Sequence, residues 1–123
     1  MSDDLYHQEI LDHYRHPDNY GRLKSADRVI KETNASCGDS FIFYVLINHQ
    51  SLTIKDLKFT GTGCAVSTAA CSLLTSHLKG KPVTALANLT PEFMQQLIGA
   101  TITPLRLNCL MLPVKALSQI QPH

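Results

Sequence analysis

Three cysteines and one aspartate in this sequence have the residue types and the local settings of a metal site. Cys37 lies between small polar residues in the stretch NASCGDS, and Asp39 stands two positions after it. Cys64 follows the glycine-rich stretch GTG, and Cys109 follows PLRLN. Buried cysteines usually have hydrophobic neighbours, so the polar setting of Cys37 indicates a thiol that is presented to a ligand together with Asp39.

The predicted position of these cysteines at the ends of strands and helices favours ionised thiols. A thiolate near a helix N-terminus is stabilised by unpaired amide groups and by the positive end of the helix dipole. This lowers the thiol pKa and favours metal binding or nucleophilic attack. Gly61 and Gly63 also allow the backbone next to Cys64 to approach a bulky inorganic group closely. Arg106 adds a positive charge near Cys109 in the sequence.

The combined donor set is compatible with two kinds of metal centre. Cys37, Cys64 and Cys109 with Asp39 supply the four ligands of tetrahedral zinc or of a 2Fe-2S cluster. A hard carboxylate among soft sulfurs is not the obvious choice for permanent binding, and it suits a site that must release its cargo. The spacing alone is a weak signal, because the donors are scattered and no CxxC pair is present. Unrelated structural thiols therefore stay an alternative at this point.

The remaining candidate ligands do not join this set. Cys71 lies seven residues after Cys64 on the same predicted helix, which is about 10 Å along the axis and too far to share one metal ion. We therefore interpret it as a small packed side chain. His13 and His16 form a weak zinc pair without a nearby cysteine, and His77 falls on the apolar stripe of its helix. Nucleophile elbows, phosphate-binding glycine loops and metalloprotease motifs are absent from the sequence.

The composition predicts one soluble globular domain over residues 1–123. A chain of 123 residues with 44% hydrophobic residues is long enough to bury a core without disulfides. A net charge of +1 gives no electrostatic reason to expect nucleic acid or an anionic membrane as the partner. The acidic, amphipathic N-terminal stretch MSDDLYHQEILDHYRH differs from a signal peptide, so we expect a cytoplasmic protein. Four cysteines in a reducing compartment are metal-binding or reactive thiols rather than disulfides.

The first half of the chain predicts a helix followed by an antiparallel sheet. Asp3 to Arg15 has apolar residues at helical spacing, and Pro17 with the following DNYG ends the helix. The stretches DRVIKETNAS, SFIFYVLINH and SLTIKDLKFTG have strand composition, and NHQS joins the last two as a hairpin. The middle strand is expected to be central, and the third to have a β-bulge at Lys55 and Asp56.

The second half predicts helices. From Cys64 onward the period becomes helical, and Gly80 ends this helix. Its predicted apolar stripe consists of Val66, Ala70, Leu73, Leu74 and His77. A further helix is expected near residues 91–98 with Thr90 as its cap. The last helix is expected within residues 109–120, either beginning near Pro113 or distorted by it. Strands followed by helices indicate an α+β fold with an antiparallel sheet.

Four ordered blocks of the sequence resemble the iron–sulfur cluster assembly scaffolds of the IscU, SufU and NifU N-terminal type. LYHQEILDHYRHPDNYGRL resembles the opening helix and turn of that family, and NASCGD resembles its first ligand loop. FTGTGCAVSTAACSLLTSHLKGK resembles the second ligand loop, and RLNCLMLPVKAL the third. The resemblance covers nearly the whole chain. It implies a three-stranded antiparallel sheet flanked by helices.

The resemblance also implies the roles of the candidate residues. Carried over by position, Cys37, Asp39, Cys64 and Cys109 become the ligands of a labile 2Fe-2S cluster, or of zinc at the same site. The implied partners are a cysteine desulfurase as sulfur donor, an iron donor, and apo-proteins that receive the cluster. Such a scaffold or carrier is not an enzyme by itself.

Within the family the resemblance points towards the SufU branch. GTGC and CLMLPVKAL resemble the second and third ligand loops of SufU, and Asn108 stands where IscU proteins have histidine. The segment between Lys81 and Arg106 is short, however, and lacks the insertion of SufU. The alternative function is zinc-dependent sulfur transfer with a SufS-type desulfurase. In that case Cys37 is the expected persulfide acceptor and Cys109 the alternative acceptor. A third alternative is a domain with purely structural zinc, in which loss of a ligand unfolds the chain.

Overall fold

The structure is a computed structural model that describes residues 3–35 and 38–120. Within these ranges the elements are, in chain order, α1 (Asp3–Arg15), β1 (Arg28–Asn34), β2 (Asp39–Asn48), β3 (Thr53–Thr62), α2 (Ala65–Leu78), α3 (Pro91–Ile98) and α4 (Leu107–Leu117). Short 3₁₀ helices at Val83–Asn88 and Pro104–Arg106 precede α3 and α4. The α+β class and the three-stranded antiparallel sheet predicted from the sequence are confirmed.

The sheet has the order β1-β2-β3, so β2 is its central strand, as predicted. Both neighbours of β2 are antiparallel to it. In the pairing of β2 with β3, Leu46 lies opposite Asp56 whereas Ile47 lies opposite Ile54. Lys55 is therefore the extra residue of a β-bulge, which confirms the bulge predicted at this position.

One face of the sheet carries the core. Phe41, Phe43 and Val45 of β2 are buried, and Leu57 and Phe59 of β3 are buried beside them. Helices α2 and α4 pack against the sheet and supply further buried leucines. Complete burial of each large apolar side chain contributes about 1.5–3 kcal/mol relative to exposure. The opposite face of β2 is half-buried.

The turn after α1 covers the outer edge of β3. The amide of Gly21 donates to the carbonyl of Phe59 at 2.8 Å, and the amide of Phe59 donates to the carbonyl of Asn19 at 3.1 Å. Asn19 adopts a left-handed φ of 65°, a conformation that asparagine tolerates better than most residues. The stretch HPDNYG therefore ends α1 and also satisfies backbone groups that an edge strand would otherwise expose.

Helix α2 is buried almost all round, which differs from the single apolar stripe predicted for it. Val66, Leu73 and His77 of the predicted stripe are only half-buried, whereas Cys71 and Leu78 are fully buried. The reason is that α1, α3, α4 and β3 all pack against this helix. Periodicity detects one apolar face, but it does not detect a polar face that a neighbouring helix covers.

Small hydroxyl groups make this covered polar face possible. Ser72 Oγ lies 2.7 Å from His13 Nδ1 and accepts a hydrogen bond from the Asp18 amide at 2.8 Å. Thr75 Oγ1 accepts from Asn19 Nδ2 at 2.9 Å and donates to the carbonyl of Cys71 at 2.7 Å. Buried polar groups are tolerated when they are paired in this way. His13 is thus engaged with α2, and the structure gives no support to a zinc pair at this position.

The structure confirms the predicted bounds of α3, whereas the last helix begins earlier than predicted. Helix α3 begins at Pro91, and its predicted cap Thr90 accepts a hydrogen bond from the Phe93 amide at 3.1 Å. Helix α4 begins at Leu107, two residues before the predicted range, and continues through Pro113. Of the two alternatives given for Pro113, a helix that begins near the proline is therefore excluded. The 3₁₀ turn at Pro104–Arg106 leads directly into α4, and Pro113 lies in its interior despite lacking an amide donor.

No helix in the described part of the chain is both long enough and apolar enough to cross a bilayer. A cytoplasmic location and the single domain over residues 1–123 stay predictions.

Replacing Gly61 by alanine should destabilise the fold more than replacing Gly80. Both glycines have left-handed φ values, +132° and +82°. A Cβ on Gly61 would overlap the carbonyl of Ser40 and lie 2.7 Å from Phe41 Cα, whereas a Cβ on Gly80 meets nothing within 4 Å. We expect Gly80→Ala to lower the free energy of unfolding by roughly 1–2 kcal/mol through its backbone conformation. Gly61→Ala should cost at least about 1 kcal/mol more because of the overlap.

Urea unfolding at pH 7, followed by circular dichroism, measures both changes. Equal losses in the two variants would show that the backbone of β2 does not restrict position 61.

Candidate metal centre

Three of the four predicted ligands converge at one place in the structure. One ligand atom from each of Asp39, Cys64 and Cys109 lies within 4.8 Å of the other two. Asp39 is the first residue of β2, Cys64 precedes α2 as its N-cap, and Cys109 lies in the first turn of α4. The fourth predicted ligand, Cys37, lies outside the described residues, so its place in this cluster stays a prediction.

The junction between β3 and α2 positions Cys64. This residue has extended backbone angles, and its Sγ accepts a hydrogen bond from the Ser67 amide at 3.4 Å. The sulfur therefore caps the first turn of α2 in the way that a serine or aspartate oxygen commonly does. Its prediction as a thiol at a helix N-terminus is confirmed.

Gly63 brings this junction close to the cluster. A Cβ at this position would lie 2.5 Å from Ser67 Oγ and 2.6 Å from Asp39 Oδ1. Because any side chain here would displace these groups, the glycine is required by close packing around the carboxylate.

Asp39 is buried, with 2% of its surface exposed. Its Oδ1 accepts two hydrogen bonds, from the Cys64 amide at 2.9 Å and from Ser67 Oγ at 3.1 Å. Its Oδ2 is also buried and has no hydrogen-bond partner among the described residues. A buried carboxylate oxygen is costly unless a donor or a cation compensates it. Together with the two nearby thiols, this oxygen fits a bound metal ion.

Cys109 is the most enclosed of the three. It is fully buried, and Asn34 Nδ2 lies 3.8 Å from its Sγ as a hydrogen-bond donor. Because α4 begins at Leu107, Cys109 lies near the N-terminal end of the helix, where amide groups favour a thiolate. The position of this thiol was predicted correctly, although the boundary of its helix was not.

Arg106 covers both thiols from the solvent side. The charge of Cys64 raises the pKa of the Arg106 guanidinium, as do hydrogen bonds that it donates to Cys109 and Cys64. The side chain is exposed and belongs to the residue that precedes α4. The sequence placed this cation near Cys109, and the structure adds that it also contacts Cys64.

The two cysteines of the α2 region differ in their ionisation. Burial and the nearby charge of Asp39 raise the pKa of the Cys64 thiol. Hydrogen bonds with Ser67 and Cys109 lower this pKa by a larger amount, so the net shift is downward. Burial raises the pKa of Cys71 well above its usual range. The prediction that Cys71 is a packed side chain is confirmed, since none of its surface is exposed.

A cleft of about 420 Å³ opens beside the cluster. Tyr14 and Arg15 at the end of α1, together with Tyr20, form one side of this cleft, and Gly63 and Thr68 belong to the other. Gly63 thus borders the cleft and precedes the half-buried Cys64 in the chain. Tyr14 is one of the exposed large apolar side chains, with 46% of its surface accessible.

Comparison with known proteins gives a consistent family. The family model described as the NifU-like N-terminal domain matches residues 5–120. The chain is 33% identical to the iron-sulfur cluster assembly scaffold protein IscU of Aquifex aeolicus over 112 residues, which cover 91% of this chain and 71% of that protein. It is 30% identical to the zinc-dependent sulfurtransferase SufU of Bacillus subtilis, with 95% of this chain and 89% of SufU covered.

A comparison with a solved structure gives the same family. The fold matches, with a TM-score of 0.76, the crystal structure of a protein from Fervidobacterium islandicum described as a cluster assembly scaffold for the SUF system. The two sequences are 25% identical, and the match covers 96% of this chain and 98% of the other. The alignment with Bacillus SufU spans 134 residues and is longer than this chain, so SufU has residues that are missing here. This agrees with the missing insertion inferred from the sequence.

Alkylation should distinguish Cys64 from Cys71 in the folded protein. With metal removed by a chelator, we expect iodoacetamide at pH 7 to label Cys64, because its lowered pKa increases the thiolate fraction and its side chain is only half-buried. Cys71 should react only after unfolding in urea, because burial raises its pKa and blocks access. Peptide mass mapping measures both. Labelling of Cys71 at the rate of Cys64 in the native protein would contradict its assignment to the core.

Proposed function

The chain belongs to the NifU-like N-terminal domain family, and on this premise we propose that it is a scaffold for the assembly and transfer of a labile 2Fe-2S cluster. The observation that carries the proposal is the convergence of Asp39, Cys64 and Cys109, together with a buried carboxylate oxygen of Asp39 that has no hydrogen-bond partner among the described residues. With Cys37 as the fourth ligand, the donor set is that of a 2Fe-2S cluster with one oxygen ligand. In this role the protein is a carrier and has no turnover of its own.

The mixed donor set supports transfer of the cargo rather than permanent storage. Thiolates bind iron through soft sulfur, whereas Asp39 offers a hard oxygen that matches the cluster less well. An acceptor protein that supplies its own thiolate can therefore compete best with this ligand. Asp39 is buried, so the incoming thiolate reaches this ligand only when the residues around it move.

Sulfur enters, in this proposal, from a cysteine desulfurase. The thiolate of an acceptor cysteine attacks the terminal sulfur of the desulfurase persulfide, a new S–S bond forms, and the desulfurase thiolate leaves. Cys37 is the preferred acceptor and Cys109 the alternative. The complete burial of Cys109 supports this order, because a protein-bound persulfide cannot reach it without movement of the surrounding residues. An iron donor and apo iron–sulfur proteins complete the set of proposed partners.

Zinc-dependent sulfur transfer is the second candidate function. It is favoured by the similarity to SufU of Bacillus subtilis, which covers 95% of this chain. The same residues would then hold zinc, because three thiolates and a carboxylate also suit tetrahedral zinc. Asn108 is compatible with this branch. In this case the protein is a sulfurtransferase with a SufS-type partner.

Serine substitutions test the cluster site with a control in the same protein. The purified chain is incubated without oxygen with ferrous iron, cysteine, a cysteine desulfurase and a thiol reductant that reduces persulfide sulfur to sulfide, and visible sulfur-to-iron charge-transfer absorption is recorded. We expect Cys37→Ser, Cys64→Ser and Cys109→Ser each to lose most of this absorption, because each removes one thiolate ligand. Cys71→Ser removes a thiol that is not one of the proposed ligands, so this variant should keep the absorption. Equal absorption in all four variants would contradict the assigned site.

Zinc distinguishes the two candidate functions. For the scaffold, we expect added zinc to suppress cluster formation, because zinc and the 2Fe-2S cluster compete for the same residues. For the sulfurtransferase, the zinc-loaded protein should accelerate desulfurase turnover and accept persulfide, detected by mass spectrometry, without charge-transfer absorption. Acceleration by zinc without any cluster would favour the second function over the first.

A further inference from the structure

Ser67 is bound to the ligand cluster through both its side chain and its backbone. Its side chain is fully buried in the first turn of α2. Its Oγ donates to Asp39 Oδ1 at 3.1 Å, and its amide donates to Cys64 Sγ at 3.4 Å. Serine is not a preferred ligand of soft metals, and the motifs in the sequence gave it no role.

The two carboxylate oxygens of Asp39 differ in their hydrogen bonds. Oδ1 receives the Ser67 hydroxyl and the Cys64 amide, so its lone pairs are largely used. Oδ2 is buried without such a partner among the described residues. Rotation of the carboxylate would break both bonds to Oδ1 inside a buried environment, where an unsatisfied group costs about 1–3 kcal/mol.

The Ser67 hydroxyl has two further polar neighbours, the carbonyl of Cys64 at 3.1 Å as a second acceptor and Cys64 Sγ at 3.6 Å. A hydroxyl has one proton, and hydrogen bonds to an ionised acceptor are about twice as strong as those between neutral groups. The proton therefore goes to the carboxylate when Asp39 is ionised. The carbonyl is the weaker competitor for the proton.

We propose that Ser67 is a positioning residue that fixes the Asp39 carboxylate so that Oδ2 alone is available to a metal. Ser67 itself does not bind the metal. It determines which oxygen binds and in what orientation. This inference rests on the proposed function, because it requires that the cluster of Asp39, Cys64 and Cys109 binds metal. Outer hydrogen bonds of this kind commonly change metal affinity by 10- to 100-fold.

A purely structural role for Ser67 makes a different prediction. If the hydroxyl only stabilises the first turn of α2, its removal should lower the stability of the protein without changing the metal environment. Alanine is a good helix former and is smaller than serine, so Ser67→Ala should fold. The two roles are therefore separable by measurements on the bound metal.

The test is a double-mutant cycle on the full-length protein with Co²⁺ as the probe. The original chain, Ser67→Ala, Asp39→Ala and the double variant are titrated under reducing, oxygen-free conditions against a competing chelator. We expect Ser67→Ala to raise the Co²⁺ dissociation constant about tenfold in the presence of Asp39. In the Asp39→Ala background the same substitution should change it by less than about twofold, because the residue acts through the carboxylate.

The absorption of bound Co²⁺ gives a second, independent result. Its ligand-field bands depend on the identity and orientation of the ligands. We expect the bands of Ser67→Ala to shift towards those of Asp39→Ala. An unchanged spectrum with an unchanged dissociation constant would overturn the inference.

Ser72→Ala is the matched control. Ser72 is also fully buried on α2 and also bonds across elements, but its partners are His13 and Asp18 instead of Asp39. Its removal should lower stability and leave Co²⁺ affinity within about twofold of the original chain. A tenfold loss in this control as well would show that destabilisation alone weakens binding, and it would overturn the specific role of Ser67.

The outcomes separate this inference from the function on which it rests. Failure of the original chain to bind Co²⁺, or an Asp39→Ala spectrum identical to the original, would overturn the metal site and the role of Ser67 with it. Normal binding that depends on Asp39 but not on Ser67 would overturn the inference alone. If Ser67→Ala does not fold, Ser67→Thr retains the hydroxyl and should keep the original spectrum. A folded threonine variant with the Asp39→Ala spectrum would contradict the inference.

Discussion

The buried carboxylate of Asp39 is the contact on which the arrangement of the site depends. Its Oδ1 joins the start of β2 to the amide of Cys64 and to the hydroxyl of Ser67, so it ties the sheet to the first turn of α2. Burial of an ionised carboxylate costs several kcal/mol unless donors replace the lost water. Those donors must lie within a narrow range of positions, and the missing Cβ of Gly63 leaves the space in which they can do so.

The contact with Asp39 lies at the first turn of α2, and other contacts hold the rest of this helix in position. Ser72 and Thr75 bind the segment that follows α1, and apolar residues on the other sides pack against α3, α4 and β3. Apolar packing alone tolerates small shifts, whereas hydrogen bonds to buried hydroxyls are directional. The position of Cys64 therefore follows from the whole environment of α2 and from its own cap.

The features that the sequence predicted correctly are those with local causes. The bounds of α1, the bulge at Lys55 and the cap at Thr90 depend on a few neighbouring residues, and the structure confirms each of them. The burial of the polar face of α2 depends on contacts between distant segments, which periodicity within one helix does not report. For the same reason no pattern identified Ser67, which acquires its contact with Asp39 from a residue 28 positions away. The family resemblance supplied the ligand set, and Cys37 stays a prediction.

The site has a buried side and an exposed side, and this asymmetry constrains how a ligand can be exchanged. Asp39 and Cys109 are buried, whereas Cys64 is half-buried, and the exposed Arg106 forms hydrogen bonds to both thiols. The Arg106 guanidinium stabilises negative charge on both sulfurs, so it competes with any cation that binds them. In the proposed function, a metal that enters displaces this contact, and the exposed arginine side chain moves into water at little cost. Exchange at the outer side can thus begin without opening the core that holds the carboxylate.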